Sequence, residues 1–164
     1  MNMKQRLEQI RGRLRKRDMD LQPPCSEPAL ELLRERTRAE FGVELPEGYC
    51  AFLRQTDGLS HNMTFFAAQR HPYVGEESEY TRPFIEENLE YRELLADIGE
   101  YEHLLVLGTS DLDHYVFDLR TSEYVVRAAG SSDIFARYKT FDELFEYVAQ
   151  REFGNTADPG GSGG

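Results

Sequence analysis

The side chains that could carry catalysis or hold a metal ion are few and poorly spaced. Neither Cys25 nor Cys50 has a histidine near it in sequence, and the chain has no G-x-S-x-G elbow and no glycine-rich phosphate loop with its lysine. The histidines form no H-E-x-x-H or paired Cys/His pattern typical of zinc sites; they are His61, His71, His103 and His114. We therefore expect a protein that is not an enzyme and that needs no cofactor and no metal ion.

One pair of carboxylates leaves two interpretations open. Asp111 and Asp113 lie two residues apart in the segment DLDH, so an extended backbone would place both on one side, where carboxylates can hold a hard cation. Aspartate between two strands is also a common turn residue, because its side chain bonds the local backbone. We favour the turn.

Acidic residues are concentrated between residues 76 and 102, a segment that contains ten Asp or Glu and only two basic residues, Arg82 and Arg92. Dense negative charge suits the surface of a basic protein, although a solvated helix face would have the same composition. We predict that this segment and the nearby turn acids form a contact surface for a partner, through Glu76, Glu77, Glu79, Glu86, Glu87, Glu90, Asp111 and Asp113.

The net charge supports a protein partner. The chain carries −11 at pH 7, and residues 1–20 hold seven Lys/Arg against three Asp/Glu, so the remaining residues carry −15. Nucleic acid is a poor partner for such a body, since phosphates need a basic surface. A basic protein is attracted to it instead.

Residues 1–20 predict a basic amphipathic helix whose apolar stripe is Met3, Leu7, Ile10 and Leu14. We expect the stripe to dock on the domain; the alternative is an arm for a membrane or partner. The N-terminus has no apolar signal region, no apolar run is long enough to span a bilayer, and two cysteines make no disulfide framework. We expect a cytoplasmic protein without membrane contact.

Apolar periodicity and capping signals predict one domain over residues 21–153, followed by a flexible tail over 154–164. The predicted helices cover 27–41, 46–56, 84–98 and 141–152, the last opened by a Thr140/Glu143 capping box. The predicted strands cover 63–69, 103–108, 114–119 and 123–128, and residues 71–83 read as a loop. This order favours an α+β fold with a largely antiparallel sheet. The expected core contains Tyr49, Phe52, Leu53, Leu105, Leu107, Phe117, Leu144, Phe145 and Val148.

Three segments resemble the SUKH superfamily. LPEGYCAFLRQTDG, which begins at Leu45, is similar to its signature of a Leu-Pro pair, an aromatic residue, a Phe-Leu pair and an Asn-Gly or Asp-Gly. Asp57 stands where the superfamily more often has asparagine. LLVLGTSDLDHYVFDLRTSEYVV and YKTFDELFEYV are similar to its central strands and its closing helix, and IEENLEYRELL resembles the YrhA-like branch.

This resemblance covers residues 26–152 and implies binding instead of catalysis. Many bacterial SUKH members neutralise a cognate polymorphic toxin, often a nuclease, while others are regulatory scaffolds, including fungal regulators of cell-wall synthesis. The signature residues are mainly structural, so the resemblance carries over no catalytic set. We expect an immunity protein with a basic toxin as its partner; the alternative is a scaffold without a toxin.

Overall fold

A computed structural model describes residues 1–97, 99 and 101–154 of the chain. It confirms an α+β fold built around a six-stranded antiparallel sheet. The helices are α1 (Met3–Arg15), α2 (Glu27–Phe41), α3 (Glu47–Leu53), α4 (Phe84–Leu94) and α5 (Phe141–Phe153). The strands are β1 (Leu59–Ser60), β2 (Thr64–Phe65), β3 (Pro72–Tyr73), β4 (Glu76–Tyr80), β5 (Leu104–Thr109), β6 (Asp113–Asp118), β7 (Glu123–Ala128) and β8 (Ile134–Tyr138).

The main sheet has the strand order β1-β2-β5-β6-β7-β8, and β3 and β4 form a separate two-stranded hairpin. Strand β5 is buried along its whole length. Asn88 of α4 fixes the helix to this strand, because its amide accepts from Val106 N (2.7 Å) and donates to Val106 O (2.9 Å). The chain segment that carries the predicted acidic surface is therefore attached to the centre of the sheet.

Aromatic rings fill the core between α3, α5 and the sheet. Tyr49 and Phe52 of α3, Phe65 of β2, and Phe141 and Phe145 of α5 contact one another, with ring centroids separated by 5.3 to 6.0 Å. Such offset and edge-on pairs add to the free energy gained by burying the rings. The expected core residues are buried, with the exception of Phe117, which is half-buried and packs at the margin of the core.

Helix α1 docks on α5. Leu7, Ile10 and Leu14 are buried, so the apolar stripe is used inside the molecule and is not a free arm. Among the described residues, no helix is long and apolar enough to cross a membrane.

The structure corrects the prediction at several element boundaries. The segment 71–83 is not a plain loop, since it contains β3 and β4 joined at Val74–Gly75, where Gly75 has φ +90°. All five residues of β4 are exposed, so no apolar alternation reveals this strand. Strands β1 and β8 are also absent from the prediction. The helix predicted over 84–98 ends at Leu94, and residue 98 and the tail from 155 on lie outside the described residues.

Candidate protein-binding surface

The β3–β4 hairpin presents three of the predicted acids. Glu76, Glu77 and Glu79 all lie on β4, and each side chain is exposed. Glu76 accepts a hydrogen bond from the Ser78 hydroxyl (3.1 Å). The hairpin therefore presents three exposed carboxylates to solvent.

This hairpin is held firmly at its base by the signature aspartate. Asp57 is 1% exposed; its carboxylate accepts from Ala68 N (2.6 Å) and from His71 Nε2 (2.6 Å). The backbone N–H of His71 donates to the Thr81 hydroxyl (2.8 Å) across the hairpin base. Arg70 lies over the Tyr80 ring at 4.1 Å. The acids of β4 are thus mounted on a fixed element.

Helix α4 carries the next three predicted acids in different surroundings. Glu86 is exposed and pairs with Arg36 of α2 (3.3 Å). Glu87 is half-buried and pairs with Arg82, whereas Glu90 is exposed. Glu86 and Glu90 therefore present charge to solvent, while Glu87 is largely engaged within the molecule.

The two turn aspartates separate. Asp111 is exposed in the β5–β6 turn, as predicted. Asp113 is the first residue of β6 and is 1% exposed, and its Oδ2 accepts from Arg151 Nη1 of α5 (2.6 Å). The prediction that Asp113 is an exposed turn carboxylate is therefore wrong. The strand begins one residue earlier than expected, and this side chain points into the molecule.

Asp111 lines a polar cleft of about 680 Å³ between the ends of β2 and β5 and the C-terminal turn of α5. Glu152 lies in the same cleft; burial, together with the carboxylates of Asp111 and Asp113, raises the pKa of its carboxyl. Sequence reasoning missed Glu152, since only the fold brings the last helix beside the β5–β6 turn. The acids nearest the cleft thus come from three separate elements.

A metal centre and a thiol nucleophile are two common kinds of reactive site, and the described residues bear on both. Among residues 1–97, 99 and 101–154, no three His, Cys, Asp or Glu side chains lie close enough together to hold a metal ion. Both cysteines are buried, and burial raises the pKa of Cys25 to about 12, so its thiol stays protonated near neutral pH. What the described surface offers is exposed charge on fixed elements, which suits recognition of a protein.

Comparison with known proteins agrees with the fold and the signature. A search of curated proteins gave no match to the chain. The model of the SMI1 / KNR4 family (SUKH-1) matches residues 28–147, a span that begins in α2 and ends in α5 and so includes the whole main sheet. Because this match extends over well more than half of the chain, the protein belongs to the SMI1 / KNR4 family (SUKH-1).

Proposed function

We propose that this protein is a cytoplasmic immunity protein, without enzymatic activity, that neutralises a cognate bacterial toxin by binding it directly. The toxin is a basic protein, and a nuclease is the expected class. Membership of a family with immunity and regulatory roles supports binding as the general activity. The more specific proposal rests on one observation, the group of exposed carboxylates that the β3–β4 hairpin presents at Glu76, Glu77 and Glu79.

Electrostatics gives the reason. A nuclease needs a basic surface to hold phosphates, and that same surface attracts an acidic inhibitor. The net charge of −11 at pH 7 would steer such a partner toward this protein from a distance. Occupation of the basic surface then blocks access of nucleic acid, so inhibition needs no chemistry on the part of the inhibitor.

The test uses the protein encoded beside this gene. If that neighbour is a large secreted protein, its C-terminal domain is expressed in a bacterial host with and without the present protein. We expect growth arrest in the absence of the present protein and restored growth in its presence. A catalytically inactive version of the toxin domain should also copurify with it as a stable complex. An unrelated acidic protein of similar net charge is the control.

Growth arrest that persists while both proteins are soluble and fail to copurify would contradict the proposal. A neighbour without a secreted toxin architecture would favour the regulatory scaffold instead.

A further inference from the structure

The surface also contains a small cavity at the C-terminal end of α4, whereas the Glu86–Arg36 ion pair lies near the N-terminal end of the same helix. A cavity of about 230 Å³ lies between the last turn of α4, the start of β6 and the β7–β8 turn. Its main walls are Tyr91, Leu94, Leu95, Tyr101, His114 and Arg127. Four of these residues lie within the acidic segment 76–102, but none is among the acids predicted to contact a partner, and the fold brings them together with His114 and Arg127.

The walls are held in place by contacts among themselves. The rings of Tyr91 and Tyr101 stack with centroids 5.9 Å apart, and the Tyr101 hydroxyl lies 2.6 Å from Nδ1 of His114. The guanidinium of Arg127 lies 5.0 Å from the Tyr101 ring centroid, and its Nη2 donates to Ser131 O (2.9 Å). These mutual contacts indicate a cavity that is preformed, and a preformed cavity loses less entropy when a partner fills it.

The interior is mainly apolar apart from the guanidinium of Arg127, which lies against the Tyr101 ring and bonds Ser131 O. Burial and the nearby Arg127 lower the pKa of His114, so its imidazole is neutral near pH 7. Two tyrosine rings and the side chains of Leu94 and Leu95 supply the apolar walls. The volume of about 230 Å³ is below the range of about 300–1,000 Å³ for drug-sized ligands. A single large side chain is an appropriate occupant.

The mouth of the cavity has the opposite character. Leu94 is 72% exposed at its edge. Glu90 precedes Leu94 by one helical turn, so the two side chains are neighbours on α4. Glu93 and Asp97 are also exposed nearby in sequence. The cavity thus opens at a stretch of chain, the end of α4 and the turn after it, that also carries exposed carboxylates outside the cavity lining, a combination that complements a basic segment carrying one bulky apolar residue.

We propose that a basic protein partner anchors itself by inserting one bulky apolar side chain into this cavity, while its neighbouring lysines or arginines meet Glu90, Glu93 and Asp97. This inference rests on the proposed function for the basic character of the partner. Filled, desolvated pockets of this kind commonly carry much of the binding energy at an interface, with charged residues arranged around them. The cavity thereby adds a slow-dissociating anchor to an interface that charge alone would form quickly.

The test fills the cavity without changing charge. Ser131 and Ser132 are adjacent, exposed residues of the β7–β8 turn, but only Ser131 lines the cavity. Ser131→Trp places a large ring at the cavity and Ser132→Trp is its matched control. With the inactive toxin domain from the neighbouring gene, we expect Ser131→Trp to bind about tenfold more weakly or worse, mainly through faster dissociation, and Ser132→Trp to bind like wild type. Leu94→Trp, at an exposed position on the rim, replaces Ser131→Trp if that variant does not fold.

A second probe separates failure of this inference from failure of the proposed function. A displayed library of random twelve-residue peptides is selected on the wild-type protein. We expect enrichment of peptides with one bulky apolar residue flanked by Lys or Arg, whose binding is lost in Ser131→Trp and kept in Ser132→Trp. If the toxin rescue fails, this selection alone decides the inference. If both tryptophan variants bind the toxin domain equally well, the proposed anchoring in the cavity is wrong, while the proposed neutralisation of a toxin still stands. If no toxin is found, a selection that yields no cavity-dependent peptides shows that the proposed anchoring is wrong.

Discussion

Arg6 lies between α1 and α5 with only 1% of its side chain exposed. Its Nε donates to Glu146 Oε1 (3.0 Å), and its second terminal nitrogen bonds the other carboxylate oxygen. A buried guanidinium is costly to leave without a carboxylate, because its desolvation is then uncompensated. The pair therefore fixes where α1 docks. One of the basic residues in the segment 1–20 thus has a structural role inside the molecule and does not add charge to the surface.

Glu146→Gln tests this pair through stability and its dependence on pH. The hydrogen bond from Arg6 lowers the pKa of Glu146 below its ordinary value. A carboxylate with a depressed pKa stabilises the folded state above its unfolded pKa of about 4.3, and that contribution disappears as pH falls through the folded pKa. We expect the variant to lose about 1–3 kcal/mol of unfolding free energy at pH 7.

Urea denaturation at pH 7 and at steps down to pH 3 measures this effect. The difference between wild type and Glu146→Gln should shrink as the pH falls from about 4.3 through the lowered pKa of the folded protein, and it should be smallest below that pKa, where both folded proteins carry a neutral group at position 146. Glu35→Gln, on the exposed side of α2, is the control and should remain close to wild type throughout. A constant difference across the pH range would mean that the ion pair does not supply the stability.

The signature residues also act structurally. The hydroxyl of fully buried Tyr49 donates to Phe66 O and lies 3.3 Å from Leu107 O, which ties α3 to the sheet. Asp57 holds the base of the acidic hairpin through Ala68 and His71. The most recognisable residues of the sequence thus position the candidate surface and are too buried to contact a partner themselves.

At the scale of elements, the sequence predicts well whatever depends on local signals. Helix α2 begins and ends at the predicted residues, with Ser26 as its N-cap and Gly42 in the left-handed region at its end. The Thr140/Glu143 capping box of α5 is formed as predicted, and β7 has the predicted bounds. In each case the signal, a capping residue or an apolar periodicity, lies within or directly beside the helix or strand that it predicts.

Elements that bury little apolar surface escape prediction. Strand β8 lies at the edge of the main sheet, where Ile134 and Phe135 are largely exposed and only Ala136 and Tyr138 are partly buried, so its apolar alternation is too short to indicate a strand. The sequence predicts one strand over 63–69, but only Thr64–Phe65 pairs as β2. Phe66 still bonds Leu107 O of β5, but the N–H of Ala67 donates to Arg82 O (2.8 Å) in the loop before α4, a tertiary contact that no local sequence pattern predicts.

Gly108→Ala tests how closely β2 and β5 approach. A Cβ atom at position 108 would lie 2.1 Å from Thr64 O, so the paired strands would have to move apart. We expect a loss of about 1–3 kcal/mol of unfolding free energy, the usual cost of overpacking a core position. Chemical denaturation of purified protein measures it.

Gly12→Ala is the matched control for this substitution. Gly12 lies inside α1, and a Cβ atom added there would have nothing within 4 Å, so the same change should stabilise the helix, by up to about 1 kcal/mol. We expect the change in unfolding free energy to be negative for Gly108→Ala and positive for Gly12→Ala. A neutral Gly108→Ala would show that the β2–β5 contact is looser than the structure has it.

At the scale of the whole molecule, charge could be read from the sequence but its arrangement could not. The count of acids between residues 76 and 102 indicates the region, and exposure of Glu76, Glu77, Glu79, Glu86, Glu90 and Asp111 fits a contact role. Three features depend on residues far apart in sequence: the burial of Asp113, the position of Glu152 in the polar cleft, and the walls of the cavity beside α4. Such sites have no local signal, because packing of distant elements creates them.

Reversal of the hairpin charges tests whether this arrangement steers a partner. Glu76, Glu77 and Glu79 changed together to lysine should slow association with the inactive toxin domain, since exposed charges act mainly on the encounter rate. The slowing should be largest at low salt, where the Debye length reaches about 30 Å at 0.01 M, and should fade toward 1 M. Stopped-flow or surface-based kinetics across this salt range measures it.

The same change in net charge elsewhere separates steering by the hairpin from the effect of total charge. Glu35, Glu40 and Glu44 are exposed on or just after α2, and their joint reversal to lysine shifts the net charge equally. It also breaks the surface pair of Glu44 with Arg38, which is worth only about 0–1 kcal/mol. Both triple variants should stay folded. If they slow association equally, the toxin responds to the overall field of the molecule; if neither does, the partner contacts another surface, and the cavity beside α4 becomes the first place to look.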